Sequence, residues 1–189
     1  MPPRADRSPS HARPRVNPSG DFTCIVRQHA VTQPATVAIY FPRGGGGWDE
    51  LSYADLERRT DAFAAFFCAS GLPMGSRVQL LLKPCVTLYP LILGAVRAGL
   101  VPVFLDPAMG LRNVLSCIRT VQPAVVVAPL ALHIGTAGLV RTFQSVSLRI
   151  VDGRRGLGFG PTLAQFELAG VSRAGVGYVA HCRVTNGVL

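Results

Sequence analysis

Between residues 52 and 127 the apolar positions switch repeatedly between helical spacing and short continuous runs, which predicts alternating helices and strands. Ser52, Tyr53, Ala54 and Asp55 open a helix as a capping box, with Ser at the N-cap and an acid three residues on. Leu56, Phe63, Phe66 and Phe67 then share one helical face, and Gly71 and Pro73 end the helix. Residues 77–82 read as an apolar strand. A second helix is predicted from near Thr87 to Gly99, with Pro90 in its first turn, where a missing N–H is tolerated. Residues 101–105 form the next strand. A third helix covers 111–121, with Leu111, Val114, Leu115 and Ile118 on one side, and residues 124–127 form a further strand. Uniformly apolar strands alternating with helices predict an α/β fold: a Rossmann-like layered parallel sheet with flanking helices.

The flanks are less regular. Residues 1–20 are rich in Pro, Arg and Ser without hydrophobic period, and predict a disordered leader. Residues 21–30 suit a short helix with Phe22, Ile25 and Val26 on one side. Pro34 then forces extension, residues 36–41 form a strand, and Gly44 to Gly47 join it to a hairpin partner at 48–51. After Pro129, which should break the preceding strand, residues 131–143 suit a fourth helix and 146–151 a strand. Residues 152–160 read as a loop, 162–168 as a helical turn ended by Gly170, and 171–189 carry little pattern. The chain therefore divides into 1–20, a domain at 21–170 whose parallel core spans 36–151, and a tail at 171–189.

The length of 189 residues, 49% hydrophobic content and 15% charged content fit one globular domain. The net charge of +9 comes from nineteen basic residues, of which Lys83 is the only lysine. The arginines are spread along the chain without a stripe or interleaved aromatics, which argues against a nucleic-acid partner. The five cysteines, Cys24, Cys68, Cys85, Cys117 and Cys182, are scattered and form no Cys-x-x-Cys. Zinc ribbons and redox pairs are therefore not indicated, and Cys68 and Cys117 read as small core residues. A reducing, cytoplasmic setting follows, and the first twenty residues hold no apolar run of the signal-peptide kind. Residues 86–105 have the length of a membrane span, but Arg97, the prolines and Gly99 divide them into a helix and a strand.

Candidate chemistry is sparse. A Walker A loop needs a Gly-Lys pair, and Lys83 stands between Leu82 and Pro84. Gly156, Gly158 and Gly160 lack the dinucleotide-binding spacing, and Gly44 to Gly47 lead into a hairpin, so both read as turns. No Gly-x-Ser-x-Gly is present. Cys182 beside His181 lies in the patternless tail, and His133 reads as a surface or satisfied core histidine. Asp106 follows the carboxyl end of a strand, where α/β folds bind ligands, but Asp before Pro is also an ordinary turn former.

The order of several motifs resembles one family. Leu51-Ser52-Tyr53-Ala54-Asp55-Leu56, followed by Gly71-Leu72-Pro73-Met74-Gly75-Ser76-Arg77-Val78, is similar to the first helix and strand of the adenylate-forming, AMP-binding enzymes. Leu93-Gly94-Ala95-Val96-Arg97-Ala98-Gly99-Leu100-Val101-Pro102-Val103 resembles the segment that follows. Leu105-Asp106-Pro107-Ala108-Met109-Gly110 and Val151-Asp152-Gly153-Arg154-Arg155 resemble the fatty-acid-CoA-ligase-like branch, including olefin β-lactone synthetases. The resemblance implies the amino-terminal part of an enzyme that activates a carboxylic acid with ATP and Mg²⁺. The family's phosphate loop, its later nucleotide motifs and its lid lysine have no counterpart here. The resemblance therefore assigns no catalytic, cofactor-binding or metal-binding residue, and implies inactivity of the chain alone. A frameshifted, truncated or split gene is expected, with the missing remainder as a possible partner. A basic module binding anions or nucleic acid is the alternative from another class.

Overall fold

The structure is a computed structural model, and it describes residues 22–153 and 156–166. The elements are α1 (Thr23–Thr32), β1 (Val37–Pro42), β2 (Trp48–Ser52), α2 (Tyr53–Ala69), β3 (Arg77–Leu80), α3 (Leu88–Arg97), β4 (Val101–Phe104), α4 (Leu111–Val121), β5 (Val125–Pro129), α5 (Leu130–Gly135) and β6 (Leu148–Asp152). Short 3₁₀ turns occupy Pro107–Met109 and Val140–Phe143. Strands β3 to β6 form a parallel sheet in the order β4-β3-β5-β6. Strands β1 and β2 pair antiparallel as a separate hairpin, so the parallel part begins at Arg77 rather than near residue 36.

The period-2 alternation of the strands sorts their side chains between two helical layers. Val78, Leu80, Val125, Val127 and Ile150 pack under Phe63 and Phe67 of α2 and Leu91 and Ala95 of α3. Leu81, Val126 and Ala128 face the opposite way, against Val114 and Ile118 of α4 and Phe143. Both faces are thus covered, which explains why the strands read as continuous apolar runs. Helices α2 and α3 touch at Gly94, where an added Cβ would sit 2.5 Å from the Phe63 Cβ.

Helix α2 starts at a side-chain cap. The Ser52 hydroxyl accepts the Asp55 backbone N–H at 3.1 Å and donates to the Asp55 carboxylate at 3.0 Å. A polar staple then ties α1, α2 and α3 together. Arg97 donates to both Glu57 oxygens at 2.8 and 3.1 Å, to Asp61 at 2.5 Å and to the Thr23 carbonyl at 3.3 Å.

Several sequence expectations need correction. Helix α1 runs on to Thr32 and stops before Pro34. Strand β5 continues through Pro129, because its pairing with β3 ends at Val127 and β3 needs no N–H from position 129. The helix expected over 131–143 is only the six residues of α5, a turn, and the 3₁₀ segment. The Thr136 hydroxyl donates to the Leu132 carbonyl at 2.7 Å as α5 ends, and Gly135 and Gly138 flank the break. Strand β6 starts at Leu148 rather than at residue 146. The apolar helix α3 is buried at Pro90, Leu91, Leu93, Gly94 and Ala95. The exposed apolar surface of that stretch is instead on β4, where Val101 is 46% and Phe104 55% accessible. Leu163 to Phe166 are helical, and the rest of the turn expected over 162–168 lies outside the described residues, as do 1–20 and 171–189.

Candidate functional site

In an open parallel sheet, ligands sit beyond the carboxyl ends of the strands, and that rim is the first place to look. Lys83 follows β3 and is exposed. Asp106 follows β4, and its Oδ1 accepts the Ala108 backbone N–H at 2.8 Å, so the carboxylate caps the 3₁₀ turn after it. Asp152 ends β6 and is exposed. Among the described residues, no three His, Cys, Asp or Glu side chains gather as metal ligands. Lys83 sits after an apolar strand end and before Pro84, without a glycine loop.

Gly45, Gly46 and Gly47 have positive φ in a tight hairpin turn, which the Arg43–Asp49 ion pair braces. At Gly160 an added Cβ would lie 2.0 Å from the Arg149 carbonyl oxygen, so close backbone approach explains this glycine rather than a dinucleotide. His133 is buried at 1% accessibility, with Nε2 3.1 Å from the Ile150 carbonyl oxygen. Its ring stacks near Phe159 at 6.0 Å between centroids. Burial pushes the imidazole pKa below its usual 6.5, partly opposed by the Ile150 carbonyl. Cys24, Cys68, Cys85 and Cys117 are free thiols of intermediate exposure, and His181 and Cys182 lie outside the described residues.

One concavity escaped the sequence reading. A cleft of about 140 Å³ opens where α4 ends against the Val140–Phe143 turn, lined by Arg119, Gln122, Arg141, Thr142, Gln144 and Ser145. Arg119 Nε donates to the Thr142 hydroxyl at 3.2 Å, and the Ser145 hydroxyl donates to the Pro123 carbonyl at 3.0 Å. The signal for it was the absence of Asp and Glu between Asp106 and Asp152, across four arginines.

Fold and rim together define a parallel α/β layer with helices packed on both faces of the sheet. A family profile described as AMP-binding enzyme matches residues 26–155, and the chain belongs to that family. It is 34% identical over 145 residues to the olefin beta-lactone synthetase of Xanthomonas campestris pv. campestris, a match covering 73% of this chain and 26% of that one. The chain thus spans about a quarter of that relative's length. A putative long-chain-fatty-acid CoA ligase of Rhodopseudomonas palustris superposes with a TM-score of 0.64 at 21% identity, over 75% of this chain and 35% of that one. The ATP-bound MatB of Rhodopseudomonas palustris superposes with a TM-score of 0.53 at 28% identity, over 64% and 23%. No helix among the described residues is long and apolar enough to cross a membrane.

Proposed function

We propose that these residues are the amino-terminal scaffold of an ATP-dependent, AMP-forming acid ligase of the acyl-CoA synthetase or β-lactone synthetase kind. The family match over residues 26–155 carries the reading, strengthened by 34% identity to an olefin beta-lactone synthetase. The complete enzyme would act in the cytoplasm on a fatty or β-hydroxy acid. The substrate carboxylate would attack the α-phosphorus of ATP, forming acyl-AMP and releasing pyrophosphate. ATP and Mg²⁺ belong to that complete enzyme, where donors around the α-phosphate would stabilise the developing charge.

In this reading residues 21–170 act as one unit and supply packing surface, and none of them is a catalytic, cofactor-binding or metal-binding group. A remainder of the domain, on the same or a separate chain, supplies the chemistry. The test is ATP–pyrophosphate exchange with a panel of fatty and β-hydroxy acids. The 189-residue chain alone should not exceed a no-enzyme control, and adding the remainder from an olefin β-lactone synthetase should raise exchange. Turnover by the chain alone would overturn its inactivity. A correctly folded, completed enzyme inert with every acid would overturn the ligase assignment.

A further inference from the structure

We propose that the cleft at the end of α4 is a binding site for a small phosphate-type oxyanion, independent of the ligase reading. Arg119 and Arg141 both line the cleft, with Gln122, Thr142, Gln144 and Ser145 as neighbouring polar groups. The fold brings these residues together from two segments: the last turn of α4, and the 3₁₀ turn with its exit. Arg141 is exposed, and neither arginine pairs with a carboxylate among the described residues. The wider surroundings reinforce this. From residue 107 to 151 the sequence has Arg112, Arg119, Arg141 and Arg149 and no acid. Elsewhere Arg27, Arg43, Arg58 and Arg97 meet Asp or Glu, whereas the exposed Arg77 has no such pair among the described residues.

The competing effect is the end of α4, whose last carbonyls carry about half a negative charge. Two guanidiniums outweigh it, leaving the cleft net positive by more than one charge. The Thr142 hydroxyl holds the Arg119 guanidinium in a fixed orientation through Nε. Its terminal nitrogens remain available for the forked hydrogen bonds that phosphate oxygens accept. A cleft of about 140 Å³ suits an inorganic phosphate or a phosphomonoester end, not a whole nucleotide.

The probe is inorganic phosphate, titrated into the full chain in chloride buffer at constant ionic strength and followed by calorimetry and amide chemical shifts. Binding with a Kd of about 1 mM is expected, corresponding to a few charge-assisted hydrogen bonds. Shifts should centre on Gln122 and residues 141–145. Arg141→Gln should weaken binding about tenfold, Arg141→Lys should weaken it less, and Arg112→Gln, at the other end of α4, should leave it unchanged. Acetate should bind about tenfold more weakly than phosphate, lacking the third acceptor oxygen. Far-UV circular dichroism confirms that each variant keeps the fold. Equal affinity in Arg141→Gln, equal weakening by Arg112→Gln, or acetate binding as tightly as phosphate would each overturn the assignment.

Discussion

Gly94 marks the closest approach of two helices, and its role is invisible in an apolar segment read residue by residue. Gly94→Ala places a Cβ against the Phe63 side chain and the α2 backbone. It should destabilise the chain by about 1–3 kcal/mol, read as a lower urea midpoint. Arg97 was legible only as a charge interrupting an apolar run, yet its side chain is 10% accessible beside a Glu57 that is 13% accessible. Arg97→Met leaves Glu57 only the exposed Arg27 as a partner and should cost about 1–3 kcal/mol; adding Glu57→Leu should recover much of it, because apolar packing then replaces the buried part of the network. His133 makes stability depend on pH. Its folded pKa lies below the usual 6.5, so the unfolded chain binds more protons over that interval. The contribution is complete above 6.5 and is lost as pH falls through the folded value. Asp55, whose carboxylate is held low chiefly by its hydrogen bond to Arg58, adds the same sign of dependence below its usual 3.8. Melting temperature should therefore fall between pH 7 and pH 5, and His133→Phe should flatten that slope. An unchanged slope would remove His133 as its source.

At the scale of elements, α4 was legible from end to end because Leu111, Val114, Leu115 and Ile118 recur at helical spacing between Arg112, Asn113, Ser116 and Arg119. The α2 start was equally legible, since a capping serine announces itself locally. Strand β5 and helix α5 were misread at their junction, where pairing geometry decides what a proline does and a sequence carries no record of which neighbour needs its N–H. Strand β4 is the outer strand of the sheet. Val101 and Leu105 donate their N–H groups inward to Ser76 and Leu80, so alternation turns the backbone of Pro102 and Phe104 outward. Pro102 has no N–H to offer an incoming strand, a common way of blunting an edge. The apolar side chains there remain exposed, and they should drive weak self-association. Phe104→Lys is expected to lower hydrophobic-dye binding and shift sedimentation toward monomer without lowering the melting temperature.

For the whole molecule, the family was legible because its motifs keep their order along the chain, while the cleft at α4 was not, because its two arginines are brought together by folding across twenty-two residues of sequence. The strand order also carries a consequence in time. Strand β3 is central, yet its two neighbours are synthesised at different moments: β4 leaves the ribosome directly after α3, whereas β5 follows only after α4. At roughly 5–20 residues per second, several seconds separate β3 from β5. During that interval one side of an apolar strand has its partner and the other has none, so a nascent chain paused before Val125 would present an open, sticky edge to chaperones or to its own neighbours on the polysome. Translation speed across residues 81–124 should therefore govern the soluble yield of this protein more strongly than speed anywhere after β6.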